Sequence, residues 1–235
     1  MASLPAAARD RTLSRVTTRV YIDGFNLYYG ALKNRPYRWL NLERLADEFA
    51  GPTRTVDRVI YCTAKIQARP DDPDAGKYQA VYLRALRALP RVDIALGKFS
   101  VKDVDARRRP RDTCSCCQAN PPGCSCCAEP LVPIIKTEEK GTDVNLAVRL
   151  VEDGYEGRFD DAFIVSDDSD LQGAVDIVTK HLKKKVYVVS PRNRIYHPIV
   201  GSGYRDVRPT LLGRCLLPTT ITLAGGRVVH KPRHW

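Results

Sequence analysis

The chain has 235 residues, 43% of them apolar, and a formal net charge of +11. That length holds one large α/β domain or one domain with a small insertion, and no apolar run of about 18 residues is present to span a membrane. Met1 to Thr18 carries Arg9, Asp10, Arg11 and Arg15 without a continuous apolar stretch, so a secretory signal is not expected and the segment is read as a loosely ordered leader of a cytoplasmic protein.

Val20 to Ile22 reads as the first strand, with Gly24 at a turn and Phe25 to Leu32 continuing as a helix. Leu42, Leu45, Ala46 and Phe49 recur at helical spacing, and Asn41 is placed to cap that helix. Val56 to Ile66 is rich in β-branched residues and predicts strand two. Tyr78, Val81, Tyr82, Ala85, Leu86 and Leu89 predict a third helix, stopped at Pro90, and Val92 to Phe99 alternates as strand three.

From Lys102 to Pro130 the apolar periodicity gives way to Arg, Pro and Cys. A segment this poor in apolar residues cannot form its own core. Six of the eight cysteines lie here, as two Cys-Ser-Cys-Cys clusters between Cys114 and Cys127. Cys114, Cys117, Cys124 and Cys127 form two matched Cys-x-x-Cys knuckles, the spacing of a tetrahedral structural Zn2+ site, with Pro121, Pro122 and Gly123 turning between them. Cys116 and Cys126 leave the choice of ligands open, and a redox or disulfide cluster is the alternative. Cys62 and Cys215 are expected to be ordinary buried thiols.

Leu131 to Ile135 resumes a strand, and Val144, Ala147, Val148 and Val151 mark the apolar stripe of a helix opened by Thr142 and Asp143. Asp161 to Val165 is strand four, Leu171 to His181 the next helix, and Val186 to Val189 strand five. Beyond Pro191 the pattern weakens to a loop through Gly201 and Gly203, a short helix near Thr210 to Leu212 and a tail. Strands alternating with helices at these lengths predict a doubly wound, mainly parallel α/β sheet covered on both faces. Residues 192–235 are expected to pack on it as an extension.

Three acidic clusters punctuate this pattern: Asp23, Asp143, and Asp167, Asp168 and Asp170 within Ser166 to Leu171. Asp23 and the third cluster directly follow apolar strands, where open α/β sheets place their sites. A helix N-cap needs one carboxylate, and the third cluster offers three. Gathered carboxylates repel unless they hold a divalent cation, and Asn26 could orient a water or a phosphate beside them. Rival motifs fail in whole or in part. An EF-hand from Asp168 would need Asp or Asn where Gln172 stands and Glu where Thr179 stands. A phosphatase with Asp23 as nucleophile would want an Asp where Phe25 stands. No phosphate-binding glycine loop follows a strand, and none of the four histidines adjoins the acidic motifs.

Tyr21-Ile-Asp-Gly-Phe-Asn-Leu27, Glu139-Lys-Gly-Thr-Asp-Val-Asn145 and Val165-Ser-Asp-Asp-Ser-Asp-Leu171 resemble the three signature blocks of NYN domains, LabA-type relatives of the PIN-like ribonucleases. The resemblance covers roughly Arg19 to Pro191. It implies a PIN-like fold and Mg2+- or Mn2+-dependent cleavage of RNA, with Asp23, Asp143, Asp168 and Asp170 as metal ligands and Asn26 beside them. The chain departs from the family's pattern at Asp167, where Asn or Gly is common, and in the cysteine-rich insertion at about 102–130.

Basic residues cluster at Arg107, Arg108, Arg109 and Arg111, at Lys180 and Lys183 to Lys185, and at Arg227, Lys231 and Arg233. Any one such run is ordinarily a solvated face. An acidic metal site inside a basic protein makes sense if the substrate is a polyanion, so the four arginines are expected to grip RNA. A non-catalytic RNA-binding adaptor is the alternative reading, and a phosphatase a more distant one.

Overall fold

The computed structural model describes residues 15–66, 73–107, 131–192, 198–233 and 235. The sheet is built outward from β1 (Val16–Asp23), whose side chains alternate between two cores: Val20 and Ile22 enter one and Tyr21 the other. On either side of it run β2 (Arg54–Ala64) and β5 (Asp161–Val165), both parallel to it. Tyr61 and Phe163 point with Val20, whereas Cys62 and Ile164 point with Tyr21. Strands buried on both faces must be apolar nearly throughout, which is why they read as continuous hydrophobic runs.

With β3 (Val92–Arg107), β4 (Leu131–Lys140), β6 (Lys185–Ser190) and β7 (Gly203–Asp206), the sheet order is β4-β3-β2-β1-β5-β6-β7. Every neighbouring pair is parallel except β3 with β4. One face is covered by α1 (Gly24–Leu27) with its π-helical continuation Tyr28–Leu32, by α2 (Leu42–Ala50) and α3 (Ala75–Leu86), and by the late α6 (Pro209–Arg214). The other is covered by α4 (Thr142–Tyr155) and by α5 (Gln172–Asp176) with its own π-helical turn Ile177–His181. Helices on both faces of a mostly parallel sheet make the mixed α/β fold that the strand and helix pattern predicts.

Asn41 caps α2 as expected, its Oδ1 accepting the backbone N–H of Arg44 at 3.1 Å. Both isolated cysteines are free and buried. The stripe assigned to α4 is corrected in half: Ala147 and Val151 pack against the core as expected, but the other two do not. Val144 and Val148 are 63% and 57% exposed, while Leu146 and Leu150 are fully buried. Two leucines four apart share a face and bury more apolar surface than valines, so they turn the helix inward, with Thr142, Asp153 and Gly154 beside them.

The segment from Lys102 is a second correction, since β3 runs on through Arg107. Its pairing with β2 ends at Gly97 opposite Ala64, and beyond that it pairs with β4 alone, from Lys98 opposite Lys140 to Arg107 opposite Leu131. Backbone ladder bonds, not a core, hold this antiparallel ribbon, so apolar periodicity could not reveal it. Arg107 ends β3; Arg108, Arg109, Arg111 and all six clustered cysteines, and with them the expected zinc site, lie outside the described residues. Most of the expected leader lies outside them too, although β1 begins at Val16, before Arg19.

Past residue 198, β7 extends the sheet and a small hairpin forms from β8 (Thr220–Thr222) and β9 (Val228–His230). Leu212, Cys215, Leu217 and Val229 enter the core on the α2 and α3 side. Trp39 Nε1 donates to the carbonyl of Pro218 at 2.7 Å, tying the two ends of the chain. Among the described residues no helix is long and apolar enough to cross a membrane.

Candidate active site

Strands proceed outward from β1 through β2 to β3 on one side and from β5 through β6 to β7 on the other. The β1/β5 boundary is therefore the topological switch point, where a crevice opens at the carboxyl ends of the strands. Asp23 is the last residue of β1, and Ser166 to Asp170 leave β5 at the same edge.

Asp23 is buried and held on every side. Its Oδ1 accepts the backbone N–H groups of Phe25 and Asn26 at 3.0 and 2.9 Å, which caps α1. Its Oδ2 accepts Asn26 Nδ2 at 2.7 Å and Ser166 Oγ at 3.0 Å. Burial raises the Asp23 pKa, and these donors oppose the rise without cancelling it, so it stays above the usual carboxylate range. Gly24 is required by close approach: a Cβ there would lie 2.9 Å from the Cys62 carbonyl oxygen and from the Tyr61 phenol.

Asn26 and Ser166 stitch the two distant clusters together. Asn26 Oδ1 accepts the backbone N–H of Asp167 at 3.3 Å, and Ser166 Oγ accepts that of Asp168 at 3.1 Å. Asp168 Oδ1 then accepts the N–H of Asp170 at 3.0 Å, closing a 3-10 turn over Ser169–Leu171. Ser166 and Asp23 are 143 positions apart in the chain.

Asp143, in the first turn of α4, lies within electrostatic reach of Asp23, Asp168 and Asp170. Its carboxyl is pushed up to about 6, first by burial and then by repulsion from Asp23, Asp168, Glu139 and Asp170. Glu139 accepts from both the backbone and the hydroxyl of Thr142, which fixes the start of α4. Below lies Cys62, whose thiol is pushed up to about 12 by burial and by Asp23, with Asp143 adding to it. It is not a nucleophile at neutral pH.

Sequence reasoning left Asp167 without a role, and no positional rule covers Ser166 or Glu139. Asp167 is buried at 7% exposure, and neither of its carboxyl oxygens has a hydrogen-bond partner among the described residues. An orphaned buried carboxylate beside mutually repelling aspartates suits a bound cation. The donors are all oxygens, which suits Mg2+ or Mn2+ rather than a thiophilic metal. As the side chains stand, no three carboxylates among the described residues converge on a single point. The fit is therefore one of donor chemistry and charge.

A second feature adjoins the acidic edge. A cavity of about 350 Å3 opens against α1 and is walled by Phe25, Tyr28, Tyr29, Tyr61, Tyr78 and Trp235, with Arg38 at its side. The Tyr61 phenol, pushed up to about 12 by burial, forms part of its wall and feels the Asp23 charge. Nothing in the apolar pattern announced this cavity, because its aromatics come from four separate stretches of chain.

A large, mostly parallel sheet with helices on both faces fits a PIN-like fold. The chain belongs to the NYN domain family, which it matches over residues 17–198, and that family sits within the PIN-like ribonuclease superfamily. It is similar to a Pseudomonas putida protein named 6-hydroxy-3-succinoylpyridine 3-monooxygenase, with 32% identity over 251 aligned positions covering 93% of this chain and 75% of that protein. Among solved structures it resembles a Vibrio parahaemolyticus protein of unknown function, with a TM-score of 0.50 and 16% identity over 86% of this chain and 97% of the other. At that identity the likeness concerns the fold alone.

Proposed function

We propose that the chain is a divalent-cation-dependent ribonuclease, most simply an endonuclease, acting in the cytoplasm on RNA phosphodiester bonds. The observation that carries this reading is the placement of Asp23, Asp143, Asp168 and Asp170 along the carboxyl edge of the sheet at the switch point of a NYN domain, near enough that the other three add to burial in raising Asp143. Asp23, Asp143, Asp168 and Asp170 would hold Mg2+ or Mn2+, with the orphaned Asp167 in reserve. When bound, such an ion lowers the pKa of a coordinated water and offsets charge on the scissile phosphate. Asn26 and Ser166 keep the Asp23 carboxylate in one orientation, so little reorganisation is needed when substrate arrives. The net charge of +11 draws in the polyanion against the local acidity of the site.

The test is cleavage of labelled RNA with Mg2+ or Mn2+, with and without EDTA. Asp168→Asn is expected to abolish cutting by the metal-loaded protein while leaving the thermal melt within a few degrees of the parent. Full activity in that variant would remove the assignment.

The name of the Pseudomonas relative favours a second reading, in which this chain oxygenates a pyridine-type ring, and the aromatic cavity beside Asp23 is the observation that supports it. Such a reaction also needs dioxygen and a reductant. Oxygen uptake that depends on 6-hydroxy-3-succinoylpyridine and reductant, together with RNA left intact under all metal conditions, would favour it over the nuclease.

A further inference from the structure

We infer that the aromatic cavity beside Asp23 is a base-binding subsite that takes one unstacked nucleobase of the RNA strand being cut. This inference rests on the ribonuclease reading and deepens it by assigning where the strand is gripped.

Three observations point the same way. The cavity and the acidic edge share a wall: Gly24 and Phe25 follow Asp23 directly, and the Tyr61 phenol touches the space a Gly24 Cβ would fill. A phosphate lying over the aspartates would therefore have its own base within reach of the cavity. The lining is aromatic and arranged in contact. Phe25 stacks on Tyr29 at 6.5 Å between centroids with 19° between planes, and Tyr28 meets Tyr29 edge-on at 5.2 Å. On the ribbon side, Phe99 of β3 meets Phe25 edge-on at 5.8 Å, so the aromatic path runs from the antiparallel ribbon across α1 to the cavity. Proteins that take single-stranded nucleic acid use just such aromatic faces, because every base offers a π-surface.

The third observation is size and charge. A volume of about 350 Å3 is at the small end for a ligand site, enough for one planar ring system with its sugar and too small for a folded helix. Asp74 also lines the cavity but is paired with Lys77 at 2.8 Å. The positive groups nearby are Arg38 in the lining, its guanidinium 5.9 Å from the Trp235 ring centroid, and Lys33 outside it, its Nζ 5.0 Å from the Tyr29 ring centroid. They are placed to meet the phosphates on either side of a seated base.

Binding can be read apart from cleavage by titrating the full chain in EDTA with AMP, with UMP and with ribose 5-phosphate. Quenching of tryptophan fluorescence is the signal, because Trp235 lines the cavity and only one other tryptophan, the buried Trp39, is present. Both nucleotides are expected to bind at least about 10-fold more tightly than ribose 5-phosphate, since only they carry a base. Tyr29 is 46% exposed, so Tyr29→Ala should fold normally. It should weaken nucleotide binding about 10-fold, and Tyr29→Trp, which keeps an aromatic face, should restore it.

Equal binding of ribose 5-phosphate, or indifference to Tyr29→Ala in a variant that melts like the parent, would overturn the subsite. Tighter binding of free 2-pyridone than of either nucleotide would also overturn it and point to a small free ring as occupant. The two readings fail separately. Nucleotide binding in a protein that cuts no RNA would retain the subsite and remove the nuclease, and metal-dependent cutting that Tyr29→Ala leaves unchanged would do the reverse.

Discussion

Replacing Asp143 with asparagine is expected to stabilise the ion-free protein, although the position belongs to the candidate active site. The carboxyl stands near 6 in the fold against 3.8 for an unperturbed aspartate, because burial disfavours its charge and Asp23, Asp168, Glu139 and Asp170 repel it. Between those values the folded chain binds more protons than the unfolded chain. Its contribution to stability is therefore fully present below 3.8 and is lost as pH rises through about 6. The gap corresponds to at most about 3 kcal/mol, which solvent screening at this partly exposed site reduces to about 1 kcal/mol. For a chain of this length that is a shift of about 2–4 °C in melting temperature. Thermal melts of both proteins in EDTA should show Asp143→Asn higher by that amount at about pH 8 and level with the parent at about pH 3. Excess Mg2+ or Mn2+ should raise the parent more than the variant, since the ion relieves the repulsion that asparagine has already removed. Equal melting at about pH 8, or a gap that persists at about pH 3, would refute the claim that the Asp143 charge is strained in the fold.

The buried ion pairs behind the site have the opposite sign. Burial pushes Asp153 upward, but hydrogen bonds from Tyr21 (2.6 Å), Arg19 and Arg158 outweigh it and hold it below the usual carboxylate range. Its stabilisation is present above 3.8 and lost as pH falls through the lowered value. Asp153→Asn should cost about 1–3 kcal/mol in urea unfolding at neutral pH, because Arg19 keeps Asp57 at 2.7 Å while the charge-assisted bonds from Tyr21, Arg19 and Arg158 are weakened, and the cost should shrink in acid. Elemental analysis of protein purified without added metal should find about one zinc per chain, bound by Cys114, Cys117, Cys124 and Cys127, and freely titratable thiols with no zinc would support the redox alternative. Replacing Arg107, Arg108, Arg109 and Arg111 together with alanine should weaken RNA binding and make its salt dependence shallower by up to about 0.7 in log–log slope per lost contact. An unchanged slope would take those arginines out of the binding surface.

Elements whose apolar residues meet a core were legible in the sequence, and the acidic motifs were legible with them. Asp23 and Ser166 to Asp170 could be placed at one edge because each ends a run buried on both faces. What escaped was whatever is set by partners rather than by periodicity. The far half of β3 and β7 are held by ladder bonds to a neighbouring strand, which leave little trace in side-chain pattern. The inward face of α4 was half misjudged, with Val144 and Val148 outside and Ala147 and Val151 inside, because valines and leucines interleave there and only packing decides which are buried. Ser166 and Glu139 act through hydrogen bonds whose other ends were invisible, and the cavity draws its rings from both ends of the chain.

The place of β1 at the centre of the sheet also bears on how the chain is made. Its partner β2 emerges soon after it, but Thr18 pairs with Asp161, which is translated 143 residues later. At ordinary rates of synthesis that is a delay on the order of 10 s, during which one side of β1 has no native strand to accept its backbone groups. A fragment ending before β5 would carry an open, apolar sheet edge, a template on which two nascent copies could pair with each other. The same delay keeps Asp23 and Asp168 apart until the sheet closes, so the charge repulsion of the site is met only by a chain that is otherwise nearly folded.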